Sequence, residues 1–345
     1  MKWNVHKFAG TASIASLLLS ASLAQAEVKD YKNYRTEDEN VPVVYFTKDI
    51  SPEGLLKVYK AMGWKPHGKV GVKISTGEPP ASNYLRPSLI KGLVKDELGA
   101  TIVECNTAYG GGRASSAMHK QVVKDHGFLE IAPFDLLDED DYMKIPVNGG
   151  KNLKFDYVGS HFKNYDSYLV LSHFKGHAMG GFGGAIKNLS IGFGSGESAK
   201  KSGKALIHTG GRADAGSFWS SWFELTQGDE NQLKFLESMA EAAKGVCDYM
   251  GNEKGIAFVN VLNRLSVDCD CNGNPEEPDM HDIGILASTD PLAIDQASVD
   301  MVFMAKDSKK LVERIESRKG RHTLEHAEKI GLGKGSRKYR LVSVD

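Results

Sequence analysis

Short apolar runs alternating with capped amphipathic segments constrain this 345-residue chain more than any other feature. "VPVVYFT" from Val41 has the pattern of a strand, and "SPEGLLKVYKAMG" follows with Ser51 as N-cap, Pro52 at the first helical position and Gly63 as its stop. "KVGVKIS" is the next strand, "RPSLIKGLVKDELG" the next helix, and "ATIVECN" returns as a strand. The rhythm resumes with "SYLVLS" from Ser167, "GIAFVNVL" from Gly255 and "DIGILAS" from Asp282. That last run leads into a helix at "DPLAIDQASVDMVFMA", with Asp290 as its cap and Pro291 at N1. Strand, helix and parallel strand in succession imply right-handed crossovers. The expected class is α/β, with mostly parallel sheet and flanking helices. Residues 43–345 are read as one domain, with lobes 43–215 and 230–345 as the alternative.

Residues 1–26 carry the marks of a secretory signal: Lys2 and Lys7, an apolar stretch around "SIASLLLSASL", and "AQA" ending at Ala26. The apolar stretch is shorter than the roughly 20 residues a spanning helix needs. The expectation is an exported, periplasmic protein without membrane insertion. Residues 27–42 are charged and aperiodic and read as a mobile leader. A formal net charge of −1 gives no general attraction to nucleic acid or anionic lipid. The partner expected is a small-molecule substrate, and the oligomeric state is left open.

In open parallel sheets, ligands bind beyond the carboxyl ends of the strands. Those ends carry Lys73, Ser75 and Glu78, then Glu104, Cys105 and Asn106. Further along they carry His173, Lys175 and His177, then Asp268, Cys269 and Cys271, and finally Ser288 and Asp290. The stretch "SHFKGHAMGGFGGAIKNLSIG" at one of these exits combines imidazoles, amines and glycines, and its glycines read as a loop. Gly181, Gly183 and Gly184 would let a ligand approach the main chain, with Lys187 and Asn188 beside it. Lys187 is a candidate cation or amine nucleophile, and His177 a proton carrier near its ordinary range. The stretch lacks the Gly-Lys-Ser/Thr of a phosphate-binding P-loop.

"DCDCNGNPEEPDMHD" holds two thiols two residues apart. Cys269 and Cys271, with His173, His177 and His208, are candidate ligands for Ni, Fe or Zn. Equally, the four cysteines of an exported chain can form disulfides, with Cys105 and Cys247 as partners. Arg86, in "NYLRPS", is the candidate clamp for a substrate carboxylate. His119 and His126 read as surface residues of a helix.

Together, "GEPPASNYLRP", "ECNTAYGGGRASSAMH", "LSHFKGHAMGGFGGAIKNLSIG", "NVLNRLSVDCDC" and "DIGILASTDPLAIDQASVD" resemble domain-of-unknown-function family 362, a family labelled as iron–sulfur-centre proteins. Many of its members carry a ferredoxin-like insert after the position of His208. This chain has no cysteine between Lys204 and Val246, so a ferredoxin-type cluster is not expected. His177 and Lys187 across the Gly-Gly loop are also similar to a segment of nickel-dependent lactate racemases. That resemblance implies a cofactor on Lys187, acid/base work by His177, nickel ligation by His208 and carboxylate binding by Arg86. Asn83 stands where that family has an acidic residue, and no histidine lies near Tyr109. The function expected is a metal-dependent enzyme acting on a small carboxylate, by racemase-, isomerase- or redox-like chemistry. The alternative is a non-catalytic metal-binding or electron-transfer protein.

Overall fold

Ser51 accepts a hydrogen bond from the Gly54 amide at 3.0 Å and opens a helix that Gly63 closes in the left-handed conformation. Asp290 caps its helix in the same way, accepting from Leu292 and Ala293. Such caps each contribute about 1 kcal/mol by satisfying amides the helix itself cannot. The computed structural model describes residues 31–196, 200–212 and 228–345, and the signal-like segment 1–26 lies outside them. Among these residues, no helix is long and apolar enough to cross a membrane.

The chain runs through β1 (Val43–Thr47), α1 (Pro52–Met62), β2 (Val70–Lys73) and α2 (Pro87–Lys91), which widens into a π-type turn over Gly92–Glu97. It continues as β3 (Thr101–Glu104), α3 (Ser116–Asp125), β4 (Phe134–Leu136), β5 (Tyr142–Pro146), β6 (Phe155–Gly159) and β7 (Ser167–His173). A small hairpin follows, β8 (Lys175–His177) and β9 (Gly181–Gly183), then α4 (Ala185–Lys187) with a π-type extension over Asn188–Gly192. The remainder is α5 (Gly203–His208), α6 (Asp229–Tyr249), β10 (Ile256–Leu262), β11 (Gly284–Ser288), α7 (Pro291–Met304), α8 (Lys309–Ser317), α9 (His322–Ile330) and β12 (Arg340–Ser343).

One sheet takes eight strands in the order β12-β1-β11-β10-β7-β2-β3-β4. β7 and β10 are buried along their whole length, which explains their unbroken apolar runs. Leu55, Val58, Ile90 and Leu93 from α1 and α2 cover one face and meet Leu169 and Val259 there. Asn33–Asp345 forms one compact unit, and β7 pairs with β10 across the point where the sequence suggested a division into lobes.

Three expectations change. β11 runs antiparallel to both neighbours, so Ser288 and Asp290 leave the sheet at the edge opposite the other strand exits. The glycine-rich stretch is a hairpin followed by a helix, not a loop. Part of the leader read as mobile is tied down: Arg35 bridges to Tyr339, and the Thr36 amide donates to the Tyr339 carbonyl at 2.9 Å.

The strand order places the functional edge. The chain steps from β2 to β3 and β4 in one direction, whereas β7 and β10 lie on the other side of β2. Outgoing connections from β2 and β7 diverge at that point, leaving a crevice above their carboxyl ends.

Candidate active site

A cavity of about 290 Å³ fills that crevice. The ends of β2 and β3 contribute Lys73, Ser75, Glu104 and Cys105, and Tyr109 and Arg113 follow from the next segment. The hairpin contributes Lys175 and His177, α4 Lys187 and Asn188, and α5 Lys204 and His208. Cys269, Asp270 and Cys271 arrive from the segment after β10.

Lys187 is placed by the cap of its helix. The Asp295 carboxylate accepts from the Ala185 and Ile186 amides at 2.7 and 2.9 Å, and from Asn260 Nδ2 at 2.8 Å. The glycines make room for these side chains instead of lining the cavity. A Cβ at Gly183 would meet Lys187 Cδ at 3.2 Å, and one at Gly184 would run into the Asp295 carboxylate. Gly181 has φ +79° and packs on Gly320. Gly181, Gly183 and Gly184, expected to hold a ligand, are not among the residues that line the cavity. Asn188 does face the cavity, and its Nδ2 donates to Ser172 Oγ at 2.8 Å.

The two cavity histidines are held in opposite tautomers. His177 Nδ1 accepts from the Gly180 amide at 2.8 Å and the Met179 amide at 3.2 Å, so a neutral ring carries its proton on Nε2. His208 Nδ1 lies 2.7 Å from the Lys204 carbonyl, to which it must donate, leaving its lone pair on Nε2. Burial, reinforced by Lys187 and His208, pushes the His177 pKa well below its ordinary value. Burial likewise lowers His208 to about 4, against the pull of its carbonyl bond. Both rings are neutral at pH 7, so His177 is a hydrogen-bond donor there and not the titrating group expected.

Charges on the walls divide into pairs and remainders. Arg113 reaches Glu104 at 2.7 Å, and its other terminal nitrogen donates to Tyr109 Oη at 3.0 Å. Burial alone would raise the Glu104 carboxyl, but Arg113 and His119 outweigh it and hold the group far below the carboxylate range. Asp270 bonds Lys175 Nζ and His173 Nδ1, both at 2.8 Å; burial would raise its carboxyl, but these two neighbours hold it far below its ordinary value. Lys187 has no carboxylate within ion-pair distance among the described residues. Burial and then the Lys175 ammonium bring its pKa down to about 7, so a large share of its amine is unprotonated at neutral pH.

The structure brings His177, Lys187, Asn188, His208, Cys269 and Cys271 to one cavity and leaves others out. Arg86 is not a lining residue; its guanidinium lies 4.0 Å from the Tyr84 ring centroid and donates to the Ser82 carbonyl. The arginine of the cavity is Arg113. His173 is not a lining residue; its two nitrogens face Asp270 Oδ1 and the Asn263 carbonyl at 2.8 and 2.7 Å. His119, read as a surface residue, is fully buried behind Glu104 at 3.1 Å, whereas His126 is half-buried and stacks on Tyr84 at 4.3 Å. Cys105 and Cys247 are buried free thiols, whereas Cys269 and Cys271 are joined as a disulfide. The sequence reading also passed over Lys204. It lies four residues before His208 on one helix, a spacing that puts both side chains on one face.

Donor atoms of His177, Cys269 and Cys271 lie within 4.8 Å of one another. The fit to a metal is partial. Reduction of the disulfide would give two thiolates suited to Ni, Fe or Zn. The His177 lone pair, however, is turned to backbone amides.

Two solved structures give low-level likenesses. The lactate racemase apoprotein from Thermoanaerobacterium thermosaccharolyticum is 14% identical with a TM-score of 0.35, over 67% of this chain and 52% of that one. A Thermotoga maritima protein is 12% identical with a TM-score of 0.39, over 77% of this chain and 58% of that one. The chain thus spans little more than half the length of either. No curated protein matches it. The family model for a domain of unknown function, DUF362, matches residues 70–300, more than half of the chain, and the chain belongs to that family.

Proposed function

We propose that this cavity is the active site of an enzyme that moves a proton at the carbon next to the carboxylate of a small acid. The observation that carries the reading is Lys187, an amine lowered to a pKa of about 7 and facing a cavity whose carboxylates are already paired. An uncharged amine can take the proton from the C–H bond, whose electrons pass into the carboxylate as an enediolate. The His177 Nε2–H and the Lys175 ammonium are suited to stabilise the charge that develops on oxygen. A neutral imidazole is the appropriate donor there, since it need not lose its proton to act. Return of the proton from the Lys187 ammonium restores the amine: delivery to the face it left regenerates the substrate with exchange, and delivery to the opposite face completes an isomerisation.

The test is exchange of substrate carbon-bound hydrogen in D₂O, followed by NMR across 2-hydroxy, 2-amino and unsubstituted small acids. Exchange by the wild type and its loss in Lys187→Met support the reading; equal exchange by the two proteins refutes it. Convergence of His177, Cys269 and Cys271 favours a second reading, metal binding by the reduced thiols with or without turnover. Cys269→Ser should leave exchange intact under the first reading and remove bound metal under the second, as read by elemental analysis. Export with removal of residues 1–26 belongs to the same proposal, and N-terminal sequencing of the mature protein checks it.

A further inference from the structure

Two more lysines face the cavity, and the proton-transfer chemistry uses neither. Lys73 ends β2 and is 1% exposed; Lys204 lies in the first turn of α5 and is 6% exposed. Each ammonium is held by one main-chain carbonyl: Lys73 Nζ donates to Ile74 at 2.5 Å, and Lys204 Nζ to Gly194. An ammonium has three donors, so single carbonyls leave both side chains under-satisfied at a cavity wall. Neither lysine has a carboxylate within ion-pair distance among the described residues; the carboxylates of the cavity, Glu104 and Asp270, belong to Arg113 and Lys175. Asp156, buried near Lys204, forms no ion pair with it.

One short segment holds the two lysines together. Gly192 has no side chain where a Cβ would come within 2.6 Å of Lys73 Cε and 3.0 Å of its Nζ. Cys105 donates to the Phe193 carbonyl at 3.3 Å, and Lys204 to that of Gly194. Successive residues of Gly192–Gly194 thus bear on Lys73, Cys105 and Lys204. Burying two unneutralised ammonium groups at the wall of one cavity is costly, and a bound anion removes the cost.

We propose that Lys73 and Lys204 form a second anion subsite, so that the ligand carries another anionic group, a phosphate or a second carboxylate, besides the carboxylate at the reacting carbon. This inference rests on the active-site reading and narrows its substrate class to small dianions. The shared chemistry is a compact anion that accepts several N–H bonds from two ammonium groups.

Isothermal titration calorimetry on the full chain tests it, with propionate as the monoanion and succinate and phosphonoacetate as two kinds of dianion. The wild type should bind at least one dianion about ten- to a hundredfold more tightly than propionate, the range of one or two charge-assisted bonds. The tighter of the two identifies carboxylate or phosphate chemistry. Lys73→Met and Lys204→Met should each erase that preference while propionate binding stays within about twofold. Both substitutions replace buried charge with an apolar chain of similar length, which buried sites tolerate. The wild-type comparison needs no variant, so poor folding of either protein leaves the inference testable. Equal binding of propionate and both dianions, or a dianion preference intact in both variants, overturns the subsite alone. Binding of none of the three overturns the active-site reading with it.

Discussion

On the wall built from β3 and the segment after it, Arg113 meets Glu104 at 2.7 Å, His119 backs the same carboxylate at 3.1 Å, and Thr76 Oγ donates to it at 2.6 Å. On the wall built from α4 and α5, Lys187 and Lys204 have no carboxylate partner among the described residues. Both walls are rich in charge, but only the first is internally neutralised. A satisfied buried network fixes geometry and resists change, whereas an unsatisfied one stores affinity for something else. Under the proposed function, the first wall would serve as scaffold and the second would carry the chemistry.

The comparison breaks if the roles can be exchanged. Lys187→Met should have the largest effect on function, abolishing hydrogen exchange, and Lys187→Arg should fail as well because a guanidinium stays protonated. Glu104→Gln should have the largest effect on stability. It takes from Arg113 the carboxylate at 2.7 Å, leaving Glu78 at 3.7 Å, and removes one partner of His119; losing one partner of a buried pair costs up to about 3–5 kcal/mol, read as a lower urea midpoint. If Glu104→Gln unfolded no more easily than the wild type while Lys187→Met did, the assignment of walls would be reversed. Asp295→Asn should lie between these extremes, weakening the cap beneath Lys187 by about 1–2 kcal/mol and lowering turnover with it. Gly183→Ala should be the mildest, a few-fold loss of turnover as the new methyl presses on Lys187 Cδ.

Acid and base should sharpen the same contrast. The Glu104 and Asp270 carboxyls sit far below their ordinary values, so their contribution is complete above about pH 4–5 and is lost only as pH falls through the folded values. Lys187 has the opposite sense. Its pKa drops from 10.5 to about 7, so the unfolded chain binds the extra proton between these values and stability rises with pH there. Lys187→Met should therefore stabilise the protein most below pH 7, with an advantage that shrinks towards pH 10. Thermal melts across that range read it directly. An advantage constant with pH would mean that the amine is not depressed.

Much of the frame was legible in the sequence because it is local. Ser51, Pro52 and Gly63 mark a helix by rules that need no tertiary information, as do Asp290 and Pro291. Strand exits predicted the cavity wherever the strand was parallel. β11 escaped because direction is set by pairing with β1 and β10, and the apolar run "GILAS" reads the same either way. Arg86 and Arg113 could not be ranked from the chain alone, since only folding puts one against Tyr84 and the other against Glu104. The glycines were visible but their purpose was not: a missing Cβ serves a ligand or a neighbouring side chain equally well, and here Lys187 and Asp295 take the space. His119 sits in a polar helical stretch, yet its ring is fully buried against Glu104.

The central claim is that Lys187 is a reactive amine in a lysine-rich cavity, and trapping it tests that claim most directly. Glyoxylate and borohydride, applied across pH 5–10 and followed by peptide mapping, should place the dominant adduct on Lys187, with labelling half-maximal near pH 7. Adducts spread over surface lysines that appear only above pH 9, with Lys187 unmodified throughout, would contradict it.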